Sequence, residues 1–131
     1  MTIRWLTKHE VIAIHDMQLA WHGGASGIRN EGLLDSALMR AQNVARYSKE
    51  ASSPAILAAA LGSGIIKVMP FIDGNKRAGL VAAFTFLKIN GFTITASQEG
   101  ACFASQDLAA GKLSEEGFAR WLETNTEPVS K

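Results

Sequence analysis

The sequence predicts an all-α protein, a compact bundle of about six helices around a central apolar helix pair joined by a loop. Apolar residues recur at helical spacing along most of the chain, and strand-like alternation is confined to residues 92–95. The two most apolar segments, residues 54–68 and 76–90, flank a short loop. With 131 residues, the chain is long enough to bury a core. We expect a single domain over residues 1–125 and a frayed tail over residues 126–131.

The composition favours a cytoplasmic globular protein. Hydrophobic residues make up 47% of the chain and charged residues 19%, as in ordinary globular domains. The net charge of +1 argues against direct nucleic-acid binding, which usually requires a stronger basic excess. The longest apolar stretch, residues 55–66, is too short to span a membrane. The only cysteine, Cys102, cannot form an internal disulfide, and we expect it to be a small buried residue.

Two helices are predicted in the first part of the chain. Thr7 and Glu10 form a capping-box pattern ahead of an apolar run, and Gly23 ends that run. Asn30 can cap the second helix. The inner face of the first helix is predicted to carry Val11, Ile14, Gln18 and Trp21. That of the second carries Leu33, Leu34, Ala37, Leu38, Ala41 and Val44.

The central pair follows. Ser53 and Pro54 read as an N-cap and a first-turn proline, and Pro70 should force Met69 out of the helical region. Gly62 and Gly64 weaken the first of these helices, which makes sense if another helix backbone passes close by. The second should bury Ala78, Leu80, Val81, Phe84 and Leu87.

The C-terminal part predicts one short extended segment and two helices. Residues 92–95 alternate like a strand or hairpin arm. Ser97 can cap a helix that runs to Ala110, and Ser114 can open the last one. The three tryptophans, Trp5, Trp21 and Trp121, lie near the ends of elements and are interpreted as lids on the core.

The loop between the central helices carries the pattern of an anion site. Asp73-Gly74-Asn75 is turn chemistry, and the helix that follows presents unpaired backbone N–H groups. Lys76 and Arg77 add positive charge where the helix dipole favours acids, so a bound anion would stabilise this end. Asp73, as the only carboxylate of the loop, suits Mg²⁺. The alternative is an ordinary turn with a solvated Lys-Arg pair.

The ordered run Phe71-x-Asp73-Gly74-Asn75-Lys76-Arg77 resembles the signature loop of the Fic/Doc family, His-x-Phe-x-(Asp/Asn)-(Gly/Ala)-Asn-(Lys/Gly)-Arg. The remainder, over roughly residues 6–122, resembles the Doc branch. Segments similar to that branch are His15-Asp16, His22-Gly23-Gly24, Gly27-Ile28-Arg29, Glu31-Gly32-Leu33-Leu34, Asn90-Gly91-Phe92 and Ala109-Ala110-Gly111. We separately expect His15 and Asp16 to form a local contact that braces their helix.

The resemblance implies a toxin of a toxin–antitoxin pair. Such a toxin uses ATP or another nucleoside triphosphate with Mg²⁺ to transfer phosphate to a hydroxyl of elongation factor Tu. By resemblance, Asp73 holds the metal, Gly74 and Asn75 line the phosphate site, and Lys76 and Arg77 neutralise the transferring group. Phe71 anchors the loop.

The resemblance also implies a partner. A Phd-like antitoxin would lay its C-terminal helix in a surface groove, which needs exposed apolar residues. We expect Met17, Trp21 and Leu34 to supply that groove.

The chain departs from the family pattern at Met69, which occupies the position of the catalytic histidine, and at Val68 beside it. A thioether cannot accept the proton of an attacking hydroxyl. Three explanations remain open: deliberate disarming, natural loss of activity with a retained binding role, or a base supplied by another group. We favour a natural, weakened or inactive member. The alternative function is a non-catalytic nucleotide- or partner-binding module, and an RNA-cleaving toxin ranks last.

Overall fold

The computed structural model describes residues 3–47 and 53–129, and the described chain is mostly helical. The elements in chain order are α1 (Lys8–His22), α2 (Glu31–Tyr47), α3 (Pro54–Val68), α4 (Asn75–Ile89), β1 (Phe92–Ile94), α5 (Gln98–Ala109), α6 (Glu115–Thr124) and β2 (Thr126–Pro128). Six helices among the described residues confirm the predicted all-α class. None of these helices has the length and apolar character needed to cross a bilayer.

Helix α3 is the centre of the core. All its residues from Leu57 to Ile66 are buried, and it packs against α2, α4, α5 and α6. A helix that is apolar on every side is stable only when other elements surround it. The prediction of a central apolar pair, α3 and α4, is therefore confirmed.

The two central helices cross where their backbones come closest. A Cβ atom added to Gly62 would lie 2.9 Å from the Gly79 carbonyl oxygen, and one added to Gly79 would lie 2.7 Å from that of Gly62. The predicted close approach is thus confirmed at Gly62. Gly64 faces Ala37 of α2, where an added Cβ would make an ordinary contact at 3.4 Å.

Two inner faces differ from the sequence prediction. In α1 the buried residues are Val11, His15 and Gln18, whereas Trp21 is 69% exposed. In α4 the buried residues are Ala78, Gly79, Ala82, Ala83, Phe86 and Leu87, and Leu80, Val81 and Phe84 are only partly buried. In α4 the prediction missed the small residues Gly79, Ala82 and Ala83, which the close crossing with α3 favours.

The predicted helix starts are largely confirmed. The Glu10 N–H donates to Thr7 Oγ1 at 3.1 Å, and the Thr7 N–H donates to Glu10 Oε1 at 2.9 Å. The bond from the Thr7 backbone lowers the pKa of the Glu10 carboxyl. The side chains of Asn30, Ser97 and Ser114 also accept first-turn N–H bonds. Ser53 makes no side-chain cap bond, although Pro54 begins α3 as predicted.

The C-terminal segment was predicted to fray, and this is wrong for its first residues. Strand β2 pairs antiparallel with β1, with Thr93 opposite Glu127. The short extended segment at β1 is confirmed, whereas residues 130–131 lie outside the described residues. Trp5 and Trp121 pack partly buried against the rings of Phe86 and Phe118, which confirms them as core lids.

Candidate functional site

The loop after α3 begins with a residue in an unusual backbone conformation. Met69 has φ 50° and ψ 64°, and it is the only described residue other than glycine with a positive φ. Its N–H still donates to the Ile65 carbonyl oxygen at 3.1 Å, as at many helix ends. The helix ends at Met69 as predicted, and Met69 leaves the right-handed helical region by adopting a left-handed conformation.

Arg29 holds this end of α3. Its Nε donates to the Met69 carbonyl oxygen and its Nη2 to that of Val68, both at 2.7 Å. The backbone N–H groups of Arg29 and Asn30 both donate to the Pro70 carbonyl oxygen. A guanidinium at the negative end of a helix stabilises the unpaired carbonyls there. Sequence reasoning had noted Arg29 only as part of a resembling segment and had missed this role.

Phe71, which the resemblance implies as the anchor of the loop, lies in the middle of the loop. Its side chain is 1% exposed. The Phe71 N–H donates to Asn75 Oδ1, and Asn75 Nδ2 donates to the Phe71 carbonyl oxygen, both at 3.0 Å. The Asn75 amide is therefore engaged by the loop itself. The resemblance implies that Asn75 lines the phosphate site, and its backbone N–H has no acceptor among the described residues.

His15 of α1 packs against the loop. The imidazole is buried, stacks on the Phe71 ring with centroids 3.8 Å apart, and places Nε2 2.6 Å from the Asp73 carbonyl oxygen. Its Nδ1 lies 3.9 Å from Asp16 Oδ1, too far for a hydrogen bond. The expected contact between His15 and Asp16 is thus weaker than the contact between His15 and the Asp73 carbonyl oxygen. His15 lies four residues after Val11 and therefore on the same helical face. This spacing could have indicated from the sequence that the imidazole is buried.

The start of α4 collects unpaired donors and positive charge. Gly74 has φ 78°, and the first helical bond runs from the Ala78 N–H to the Gly74 carbonyl oxygen. Within residues 3–47 and 53–129, no acceptor pairs with the backbone N–H groups of Asn75, Lys76 and Arg77. The Lys76 and Arg77 side chains are exposed. Among the described residues, no carboxylate forms an ion pair with either of them. Such an arrangement is suited to an anion.

Asp73 is the one carboxylate at this loop. Its Oδ1 accepts from the Gly74 N–H at 2.8 Å and its Oδ2 from the Ala25 N–H at 3.2 Å, and the side chain is exposed. No cluster of three or more metal-binding side chains occurs among the described residues. Each carboxylate oxygen keeps a free lone pair. Asp73 therefore fits a Mg²⁺ ion that takes its other ligands from phosphate and water.

The loop forms one wall of a cleft of about 570 Å³. The cleft is lined by Ile66, Lys67, Met69, Ile72, Asp73, Gly74, Asn75, Lys76 and Arg77, and by Cys102, Ser105, Gln106 and Ala109 of α5. The predicted site residues thus come together, except Phe71, which lies beneath them. Cys102 is exposed in this cleft, so the expectation of a buried cysteine is wrong. The residues of α5 were not predicted as site residues.

A larger concavity, of about 730 Å³, lies on the outer face of α2 near Met39 and Tyr47 and holds no residue of the loop. The unpaired N–H donors at the start of α4, the cations of Lys76 and Arg77, and the carboxylate of Asp73 all lie at the smaller cleft. We therefore take the smaller cleft as the candidate site.

Met69 brings no proton acceptor to the cleft. Its side chain is 51% exposed at the wall, and none of the residues that line the cleft is a histidine. His15 does not substitute, because it is buried and its Nε2 is engaged by the Asp73 carbonyl. The cleft has donors and positive charge suited to an anion, but none of its lining residues offers an imidazole to a substrate hydroxyl.

Comparison with known proteins gives one family model and two named relatives. A family model described as the Fic/DOC family matches residues 5–87. The chain is 30% identical over 119 residues to a protein of Escherichia phage P1 named Protein kinase doc, covering 87% of this chain and 86% of that protein. It is 41% identical over 76 residues to Toxin Doc of Mycolicibacterium smegmatis, covering 56% and 57%.

Proposed function

The chain belongs to the Fic/Doc family, and on that premise we propose that it is a Doc-type toxin whose loop binds a nucleoside triphosphate with Mg²⁺. The observation that carries the proposal is the group of three unpaired backbone N–H donors beside the unpaired cations of Lys76 and Arg77. Relatives named as a protein kinase and as a toxin support the same interpretation.

The proposed reaction transfers phosphate to a protein hydroxyl. The hydroxyl oxygen forms a bond to the γ-phosphorus, the bond to the bridging oxygen breaks, and the nucleoside diphosphate leaves. The N–H groups at the start of α4 orient the phosphates, while Lys76 and Arg77 offset the charge that develops on them. Asp73 would hold Mg²⁺, which neutralises further phosphate charge. The target proposed by resemblance is a threonine of elongation factor Tu.

The proton of the attacking hydroxyl has no imidazole to receive it, because Met69 occupies the histidine position, so the proton passes to solvent water. Loss of a positioned general base typically slows a reaction by about 10²–10⁴. We therefore propose a natural member that is catalytically weakened or inactive. The exposed thioether in an otherwise complete phosphate cleft favours a second candidate, a module that binds nucleotide or partner without catalysis.

The proposed partner is a Phd-like antitoxin whose C-terminal helix lies in an apolar groove. Met17 and Trp21 are 51% and 69% exposed and remain available for such a contact. Leu34 is fully buried in the core, so it is wrong as a groove residue. Its place on the inner face of α2 explains the error, since the same periodicity marks core and groove residues. We restrict the proposed contact to the exposed end of α1.

The phosphate site is tested by calorimetry with Mg²⁺–ATP. Arg77→Ala should weaken binding at least about tenfold, because it removes a cation from the helix start that the phosphates neutralise. Arg120→Ala is the matched control, since this exposed arginine lies on α6 and does not line the cleft. If the wild-type chain binds no nucleotide at millimolar concentration, the proposal is wrong.

The role of position 69 is tested by restoring the base. Met69→His, alone and with Val68→Asn, should raise phosphate transfer to purified elongation factor Tu by about 10²–10⁴, measured with radiolabelled ATP. Full transfer by the wild type would show that the base lies elsewhere. If both variants bind nucleotide but neither transfers phosphate, the binding module becomes the better interpretation.

A further inference from the structure

The cleft has two walls, one formed by the loop and the start of α4 and the other by α5, and the side chains of the two walls differ in charge. Helix α5 contributes Cys102, Ser105, Gln106 and Ala109, at the spacing that places residues on one helical face. The apolar residues Ala101, Ala104 and Leu108 of α5 are buried on the core side, and Ser105 is largely buried at the edge of the cleft. The two acids of α5, Glu99 and Asp107, are not part of the cleft lining. One wall is therefore cationic, and the other is polar but uncharged.

We propose that the α5 wall binds the nucleoside half of the nucleotide, with Gln106 contacting the base and adenine preferred over guanine. This inference rests on the proposed function, since it needs the triphosphate to lie at the start of α4. An uncharged wall suits the base and ribose, whereas the opposite wall suits phosphate. The volume of about 570 Å³ is in the usual range for small-molecule sites.

Gln106 is the side chain of this wall with hydrogen-bonding capacity to spare. Its Nε2 contacts Cys102 Sγ at 3.4 Å, a weak bond that a ligand can replace. No donor of the described residues pairs with its Oε1. The Ser105 hydroxyl, by contrast, already donates to the Cys102 carbonyl oxygen at 2.9 Å. A glutamine amide can pair with both N6 and N7 of adenine, whereas guanine presents two acceptors there.

The first test compares the affinities of Mg²⁺–tripolyphosphate, Mg²⁺–ATP and Mg²⁺–GTP. The wild type should bind ATP more tightly than tripolyphosphate, and about threefold to tenfold more tightly than GTP. Gln106→Leu should remove the preference for ATP over GTP and leave tripolyphosphate binding unchanged. Gln98→Leu is the matched control, because this exposed glutamine is on the same helix and does not line the cleft.

The second test uses Cys102, the only cysteine of the chain and an exposed one. Its reaction with a thiol reagent such as Ellman's reagent can be followed without mutation. A nucleoside against α5 would cover the thiol. Saturating Mg²⁺–ATP should therefore slow the labelling several-fold more than saturating Mg²⁺–tripolyphosphate.

The outcomes separate this inference from the proposed function. If neither tripolyphosphate nor ATP binds, the phosphate site fails and the inference fails with it. If both bind with equal affinity and protect Cys102 equally, the phosphate site stands and the α5 wall is excluded. If ATP binds more tightly but Gln106→Leu keeps the full preference over GTP, the assignment of Gln106 is overturned.

Discussion

At the residue scale, the backbone at position 69 is as informative as the side chain. A non-glycine residue in the left-handed region costs on the order of 1–3 kcal/mol and persists only where the surroundings impose it. Here Arg29 imposes it, because its guanidinium bonds the carbonyl oxygens of both Val68 and Met69. A histidine at position 69 would face the same constraint. The conformation belongs to the loop, which is why we expect Met69→His to leave it intact.

The prediction at the residue scale concerns the bond between His15 and the loop. His15→Phe keeps a ring on Phe71 but removes the partner of the Asp73 carbonyl oxygen, 2.6 Å away. A part-buried acceptor left unpaired should lower the free energy of unfolding by about 1–2 kcal/mol. Urea denaturation measures the change, and His9→Phe on the exposed side of α1 is the control. Equal stability of the two variants would mean that the loop does not depend on this bond.

Local sequence predicted the chemistry of the loop but not its support. Asp73, Gly74, Lys76 and Arg77 are neighbours, so turn and helix-start rules apply to them directly. The bond from His15 to the loop spans 58 residues of sequence. That from Arg29 to Met69 spans 40. No periodicity or cap rule connects such distant positions, and only the fold brings them together.

At the element scale, the crossing of α3 and α4 sets the geometry of the loop between them. Both helices present glycine at the closest point, and the carbonyl oxygens there leave no room for a methyl group. Since the loop connects the ends of these two helices, a displaced crossing would move Met69 relative to the start of α4.

Gly62→Ala tests this crossing. The added Cβ would lie 2.9 Å from the Gly79 carbonyl oxygen, so the helices must shift, and overpacking of this kind costs about 1–3 kcal/mol. Gly64→Ala is the matched control in the same helix, because its Cβ fits at 3.4 Å from Ala37. Because alanine has a higher helix propensity than glycine, Gly64→Ala should raise the free energy of unfolding by up to about 1 kcal/mol. Thermal unfolding that moves both variants in the same direction would contradict the argument.

The elements themselves were largely predictable from the sequence, because caps and periodicity are local. Thr7, Asn30 and Ser97 marked three helix starts correctly. The errors fall where tertiary context decides. Trp21 follows the apolar spacing of α1, yet it extends beyond the core. Strand β2 is Thr-Glu-Pro, in which Glu and Pro are depleted from strands, so it depends on pairing with β1.

At the scale of the whole molecule, a polar cluster formed by Arg40, Ser63 and Glu115 joins α2, α3 and α6. Glu115 at the start of α6 accepts from the Ser63 hydroxyl of α3 at 2.8 Å. It also forms a two-bond pair with Arg40 of α2, with distances of 2.7 and 3.1 Å. Ser63 is 1% exposed, so its hydroxyl depends on Glu115 for a partner. The cluster fixes α2 and α6 against the central helix.

A double-mutant cycle on Arg40 and Glu115 measures what this cluster contributes. Arg40→Ala should cost about 1 kcal/mol, because the pair is partly exposed. Glu115→Ala should cost about 2–3 kcal/mol, since it also leaves the buried Ser63 hydroxyl unpaired. The coupling should be about 1 kcal/mol. The surface pair of Lys8 and Glu31 is the control, and its coupling should be smaller, because solvent screens it and Lys8 also pairs with Asp35. If Glu115→Ala costs no more than Arg40→Ala, the Ser63 hydroxyl finds another partner and the link from Glu115 to α3 contributes nothing.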